Sequence, residues 1–288
     1  MKTQLFILLQ YCLPQHVFSR LIGKLASWHA PGWLKNLFLR WFIKKHGIDL
    51  CDAEKIHIDD YPTFNAFFTR RLQVALRPID TADVITSPAD GIISQIGSID
   101  GTTILQAKNF DYALAPLLVN DTKLTNTFTN GTFVTIYLSP ADCHRVHMPL
   151  SGKLIRSIYV PGKLFSVNPA TVHKIPGLFT RNERLIHVFA SEIGTVVVIM
   201  IGAMLVAGMH TVWKGTSTPN QFKKVRHWDY RDKNISLSKG EELGYFNFGS
   251  TVITLLPTQT IPWLATLQSG TAVKFGQALS EPRRKSHN

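Results

Sequence analysis

Apolar and basic positions are interleaved over residues 1 to about 48, and the first acidic residue is Asp49. Pro14 and Pro31-Gly32 interrupt this stretch, which predicts short helices separated at those breaks. One group holds Phe18, Leu21, Ile22, Leu25 and Trp28. In the next, Leu34, Leu37, Phe38 and Trp41 recur at helical spacing, with Lys35, Arg40 and Lys44 toward other faces. Residues 49 to about 80 read as a linker and a helix opening near Tyr61-Pro62-Thr63, with Phe64, Phe67, Phe68 and Leu72 on its apolar face. From about residue 84 the period changes to short β-type runs. Val84-Ile85, Gly91 to Ile93, Thr132 to Tyr137, Val196 to Met200 and Val252 to Leu256 are bounded by Gly, Pro, Asn or Asp. The pattern predicts an α+β chain, with amphipathic helices over residues 1–60 and a β-rich domain over residues 61–288.

Between Ile193 and Trp213 no Asp, Glu, Lys or Arg appears, which nominally meets the length of a membrane-spanning helix. Gly194, Gly202 and Gly208 punctuate it, and Thr195 to Ile199 is rich in β-branched residues. Two buried strands with a turn near Gly202 are expected instead.

Charge changes the picture at the N-terminus. The chain carries 31 Lys and Arg against 19 Asp and Glu, a net +12, which favours a polyanionic partner. Basic residues around Trp-bearing apolar faces suit helices lying in an anionic membrane interface. No nucleic-acid-binding module accompanies the charge, so nucleic acid is not an expected partner. The three cysteines, Cys12, Cys51 and Cys143, have no metal-ligand spacing and their odd number argues against a disulfide framework, which fits a reducing compartment. The apolar run Leu5 to Leu9 lacks a small-residue cleavage site, so a removed signal peptide is not expected.

Three clusters could carry chemistry. In Tyr137 to Gly152, His144 and His147 stand three apart beside Asp142 and Cys143. A metal site would need a third ligand motif, and none is evident, so no metal is expected. A Cys–His nucleophile pair and general acid–base work by the imidazoles both stay open, as do two merely structural histidines. In Gly249-Ser250-Thr251, the glycine would let strained backbone bring a hydroxyl to its own preceding carbonyl, although a turn entering a buried strand reads the same way. Asp90, in Ser87-Pro88-Ala89-Asp90-Gly91, would alone be a turn aspartate.

Taken in order, Pro88-Ala-Asp90-Gly91, Tyr137-Leu-Ser-Pro-x-Asp-x-His144-Arg-Val-His147-Met-Pro and Gly249-Ser250-Thr251 resemble the bacterial, pyruvoyl-dependent phosphatidylserine decarboxylase family. The likeness extends to Thr63–Leu72, Tyr159–Asn168 and Phe179–Arg184, and departs from the usual leucine at Phe248.

The resemblance implies that the chain cuts itself between Gly249 and Ser250, leaving a large chain 1–249 and a small chain 250–288 that stay together. Ser250 would become a covalent pyruvoyl group. Asp90, His147 and Ser250 would act as a triad in that cleavage, and His144 would protonate the carbon that loses CO₂. The expected substrate is phosphatidylserine, met at an anionic membrane surface by the 1–60 segment. The expected location is peripheral, on the cytoplasmic face of the bacterial inner membrane, and a homodimer is compatible with all of this. Two alternatives are a pyruvoyl enzyme acting on a free amino acid and a non-catalytic basic protein that binds membranes.

Overall fold

The computed structural model describes residues 2–107, 110–204, 208–219, 221–247, 249–257 and 262–282, without the side chains of Lys2, Thr3, Leu5 and Cys12. Three helices open the chain, α1 (Lys2–Cys12), α2 (Gln15–Ala26) and α3 (Gly32–His46), broken at Pro14 and Pro31 as expected. Gly47 ends α3 in the left-handed region, at φ 63°, with its N–H on the Ile43 carbonyl. The short helix α4 (Phe64–Phe68) follows, capped by the Thr63 side chain, which accepts from the Ala66 N–H.

α3 is apolar on two sides. Leu39 and Phe42 are buried against Phe64, Phe67 and Phe68, forming a small core separate from the main one. The periodic residues face outward: Leu34 is 37% exposed, Leu37 62%, Phe38 46% and Trp41 51%, and Trp33 beside them is 72% exposed. On α2, Val17, Phe18, Leu21 and Leu25 are likewise exposed. A contiguous apolar surface of this kind marks an interaction face rather than a core-packed one.

The strands are β1 (Gly91–Ser98), β2 (Thr103–Ala107), β3 (Phe110–Ala113), β4 (Thr132–Leu138), β5 (Arg145–His147), β6 (Gly152–Val160), β7 (Arg184–Ser191) and β8 (Gly194–Ile201). They continue with β9 (Met209–Thr211), β10 (Gly215–Ser217), β11 (Arg226–Asp229), β12 (Ser236–Leu237), β13 (Glu242–Phe246), β14 (Ser250–Leu256) and β15 (Ala272–Val273). Among the described residues, the main sheet runs β11-β6-β7-β8-β14-β4-β1-β15 in space, with β12 also on β6. A second sheet runs β10-β9-β13-β5, and β2 pairs with β3.

β14 lies at the centre of the main sheet. Ser250 pairs opposite Leu138 of β4 on one side, and Thr251 opposite Ile201 of β8 on the other. Every residue of β14 is buried, which is why Val252 to Leu256 is a nearly unbroken apolar run.

The charge-free stretch gives strands, β8 and β9, but they sit in different sheets, so the chain passes from one sheet to the other beyond Gly202 rather than closing a hairpin. No helix among the described residues is long and apolar enough to cross a membrane. Val84-Ile85 is not a strand. The Ile85 N–H is taken by the Ser280 hydroxyl, and Thr86 makes only an isolated bridge to Ala278.

Candidate active site

Ser250 is fully buried and begins β14. Its strand partner β4 ends at Leu138, and the loop beyond it folds back at once. Asp142 Oδ2 accepts the Ser139 N–H at 2.7 Å, closing a turn that returns the chain to His144. His144 Nε2 lies 3.0 Å from the Ser139 carbonyl. A carbonyl can only accept, so Nε2 carries the proton and Nδ1 turns its lone pair to Ser250 Oγ, 3.4 Å away. The ring also stacks on Phe68, with centroids 4.1 Å apart.

Residues 69 and 70 hold this loop from outside. Arg70 Nη2 donates to the Ala141 carbonyl at 2.7 Å, and Arg145 Nε donates to the Thr69 carbonyl at 3.0 Å. Cys143 Sγ donates to the Arg70 carbonyl. Burial pushes the Cys143 thiol up to about 11, so it is no thiolate near neutral pH, which disfavours the Cys–His nucleophile reading.

Among the described residues no hydrogen bond links Asp90 to His147, or His147 to Ser250, as the expected triad would have it. The Asp90 carboxylate is spent on Arg77, whose Nη2 lies 2.9 Å from Oδ2, and on the Phe275 N–H, 2.9 Å from Oδ1. Arg77 also pairs with Asp52 at 2.8 Å. His147 stacks on Phe275 instead, with centroids 3.9 Å apart, and its buried Nδ1 has no partner among the described residues. The structure therefore brings His144 to Ser250, and groups Asp90 with His147 only through Phe275 and the Pro88 carbonyl, which accepts the His147 N–H at 2.7 Å.

A Cβ on Gly249 would meet nothing within 4 Å, so no close approach requires a glycine there. The glycine lines a cavity with no side chain of its own to shield its carbonyl. Phe248 lies outside the described residues.

That cavity, of about 760 Å³, runs from the outward faces of α2 and α3 to Gly249. Leu25, Trp28, Phe38 and Trp41 line its outer part, and Phe68, Tyr137, Pro140 and Met204 its inner part. No acidic residue lines it, whereas Lys35, Lys45 and His46 do. A group formed from Ser250 would fit this position: β14 holds it between β4 and β8, it is fully buried, and His144 faces it.

Both histidines are neutral near pH 7. Burial, then the Arg70 charge, pushes His144 down to about 3 from an ordinary 6.5. Burial pushes His147 down to about 4, opposed by the Glu242 and Asp90 carboxylates. His187, buried in the main sheet, is pushed to about 3 by the same cause. Between each folded value and 6.5 the unfolded chain binds more protons, so stability falls as the pH drops through that window. The urea midpoint of an uncut variant is expected to be lower at pH 5 than at pH 7.5, and an unchanged midpoint would contradict the burial of these rings.

The sequence gives no signal for Arg77 or Phe275, which lie in segments without a periodic pattern, and it shows Phe68 only as part of an apolar helix face, not as the ring beneath His144.

A family model described as phosphatidylserine decarboxylase matches residues 64–281, and a second, described as PSD, matches residues 5–47. The chain is 49% identical over 277 residues to a phosphatidylserine decarboxylase proenzyme of Alcanivorax borkumensis, covering 95% of this chain and 94% of that one. It is 45% identical to the proenzymes of Pseudomonas fluorescens and Dechloromonas aromatica, covering 97% of this chain and 98% of each. With motifs, fold and near full-length likeness in agreement, the chain belongs to the phosphatidylserine decarboxylase family.

Proposed function

We propose that this chain cuts itself between Gly249 and Ser250 and then, as chains 1–249 and 250–288, converts phosphatidylserine to phosphatidylethanolamine and CO₂. The observation that carries this reading is the cavity, which joins an exposed aromatic surface to the scissile glycine beside the His144–Ser250 pair. A lipid can present its headgroup at the inner end while its acyl chains stay among α2 and α3. A free amino acid would need none of those walls, and a non-catalytic membrane binder would need no buried Ser–His contact.

Ser250 Oγ would add to the Gly249 carbonyl carbon and the peptide C–N bond would break, leaving an ester. β-Elimination would then release the Gly249 carboxylate, and water would replace the resulting enamine nitrogen, which leaves as ammonia, giving a pyruvoyl group at position 250. What that group supplies is a ketone for the substrate amine and a sink for the electron pair left behind by CO₂. His147 would take the Ser250 proton during cleavage, with Asp90 fixing the local charge. His144 would return a proton to the carbon that has lost CO₂. All four residues come from one chain, so a homodimer would be an association of complete sites.

Residues 1–60 would form the membrane-association segment, resting on the cytoplasmic face of the inner membrane, and residues 61–288 the catalytic domain. Processed protein should release CO₂ from phosphatidylserine in vesicles and not from free serine; turnover of free serine would give the site to the smaller substrate. Changing Trp33, Leu37, Phe38 and Trp41 to Ser should leave a folded, self-cleaving protein in the supernatant after liposome sedimentation, because these side chains are exposed. Wild-type binding should weaken with salt, since the Debye length falls from about 10 Å at 0.1 M to about 3 Å at 1 M. Its apolar part should persist. If the four-Ser variant aggregates instead, α3 belongs to the core.

A further inference from the structure

A second hollow, of about 320 Å³, lies where the N-terminal end of α2 meets the loop after β6, and it shares no lining residue with the first cavity. Its walls include His16, Arg20, Lys163 and Arg181, and no Asp or Glu. The fold holds two of these cations side by side. The Lys163 N–H donates to the Arg181 carbonyl at 2.8 Å, and Gly162 permits the approach, since a Cβ there would lie 2.5 Å from the Asn182 carbonyl carbon. Arg181 lies over the Tyr11 and Phe165 rings, and its Nη1 donates to the Tyr11 hydroxyl. Neither Arg20 nor Lys163 has an ion-pair partner among the described residues. Like charges gathered about one space repel, and a fold gains nothing from that arrangement without an anion.

Two further observations point the same way. The first turn of α2 has no acidic residue and no side-chain cap; its Gln15 and Val17 N–H groups donate to the Leu13 and Pro14 carbonyls, so what it offers an anion is the positive end of the helix dipole. Gln10, buried and lining the hollow, keeps an Nε2 donor without a partner among the described residues. The rim places the site in a membrane interface, because Leu13 and Val17 line it and are exposed beside Leu9 and Leu21.

We propose that this hollow binds the phosphate of an anionic phospholipid other than the molecule being decarboxylated, through Arg20, Lys163, Arg181 and the start of α2. The proposal rests on the membrane reading given above. Such a site grips lipids that keep a net negative charge, and the neutral product of the reaction is not one of them.

The test uses processed, full-length protein and vesicles of phosphatidylcholine with or without phosphatidylglycerol, which has no carboxylate to lose. Arg20→Gln with Lys163→Gln is compared with Lys223→Gln with Lys224→Gln, which removes equal charge from exposed positions elsewhere. At about fivefold per cation near an anionic surface, the first pair should weaken binding to phosphatidylglycerol vesicles by about 30-fold. The second should change it by less than about threefold. Titrating dihexanoyl phosphatidylglycerol, dihexanoyl phosphatidylcholine and inorganic phosphate against the His16 imidazole resonances completes the test. A saturable shift with the first, and none with the second, is expected, with inorganic phosphate far weaker than the lipid. Equal losses in the two charge-matched variants, or no loss in either, would overturn the site while leaving membrane binding intact. Saturation by inorganic phosphate at lower concentration than by the lipid would assign the hollow to a soluble anion and overturn it too. Failure of the wild type itself to bind phosphatidylglycerol vesicles would instead remove the membrane reading on which the proposal stands.

Discussion

Ser250→Ala is expected to leave one uncut chain on a denaturing gel, with no fragment corresponding to residues 250–288. The side chain lost is a single hydroxyl whose one hydrogen-bond partner among the described residues is His144, at 3.4 Å. Folding should therefore change by no more than about 1 kcal/mol, the net value of one ordinary hydrogen bond. Catalysis should change far more, because the variant lacks both the attacking oxygen and any route to the ketone. Loss of CO₂ release by more than about 10⁴-fold matches the scale at which removing a nucleophile acts in covalent catalysis. Mass spectrometry of the purified variant settles the first point and a phosphatidylserine assay the second. A normal small fragment from this variant would end the assignment of Ser250.

The second large effect separates the two histidines. His147→Ala should remain uncut. His144→Ala should be cut normally and then release CO₂ about 10²- to 10⁴-fold more slowly, the usual worth of a positioned acid or base. The surroundings of each ring give the reason. At His147 the Glu242 and Asp90 carboxylates favour the imidazolium, so it is the better base of the two. At His144 the Arg70 charge disfavours it, so a proton placed there is readily given up to a carbanion. To serve as base, His147 must turn from Phe275 toward Ser250 or act through a bridging water. One observation favours the opposite division, namely that His144 already touches Ser250 in the uncut chain. If His144→Ala stays whole and His147→Ala is cut, contact decides and the charge argument fails.

Much of this was readable before any coordinates. Helix breaks at Pro14 and Pro31, the cap at Thr63 and the buried runs of β4, β8 and β14 are local or periodic signals, and the fold follows them. The proposed reactive serine was legible because Gly249-Ser250-Thr251 came with two other motifs in order. What the histidines contact was not. His144 and His147 are three residues apart, yet one ring stacks on Phe68 and the other on Phe275, more than 70 and 120 residues away in sequence. Pairing across such separations is set by sheet order, which no local spacing encodes. The same holds for Arg77, which neutralises Asp90 from a segment with no periodic pattern. The outward face of α3 was visible as a periodicity, but periodicity alone could not say whether that face meets the core or the outside.

The central place of β14 has a consequence for the life of the molecule after cleavage. Residues 250–256 are laid between β4 and β8 while the chain is still continuous, so the sheet assembles as a unimolecular event. If the chain is cut between Gly249 and Ser250 as proposed, the finished sheet would contain a middle strand that no peptide bond ties to its neighbours. Melting it would set that strand free, and re-forming the sheet would require a bimolecular encounter followed by insertion between two edges that have every reason to pair with something else. Maturation is thus a ratchet: the precursor can fold repeatedly, the mature pair only persists. Its durability is governed by how slowly the sheet opens rather than by an equilibrium it could revisit.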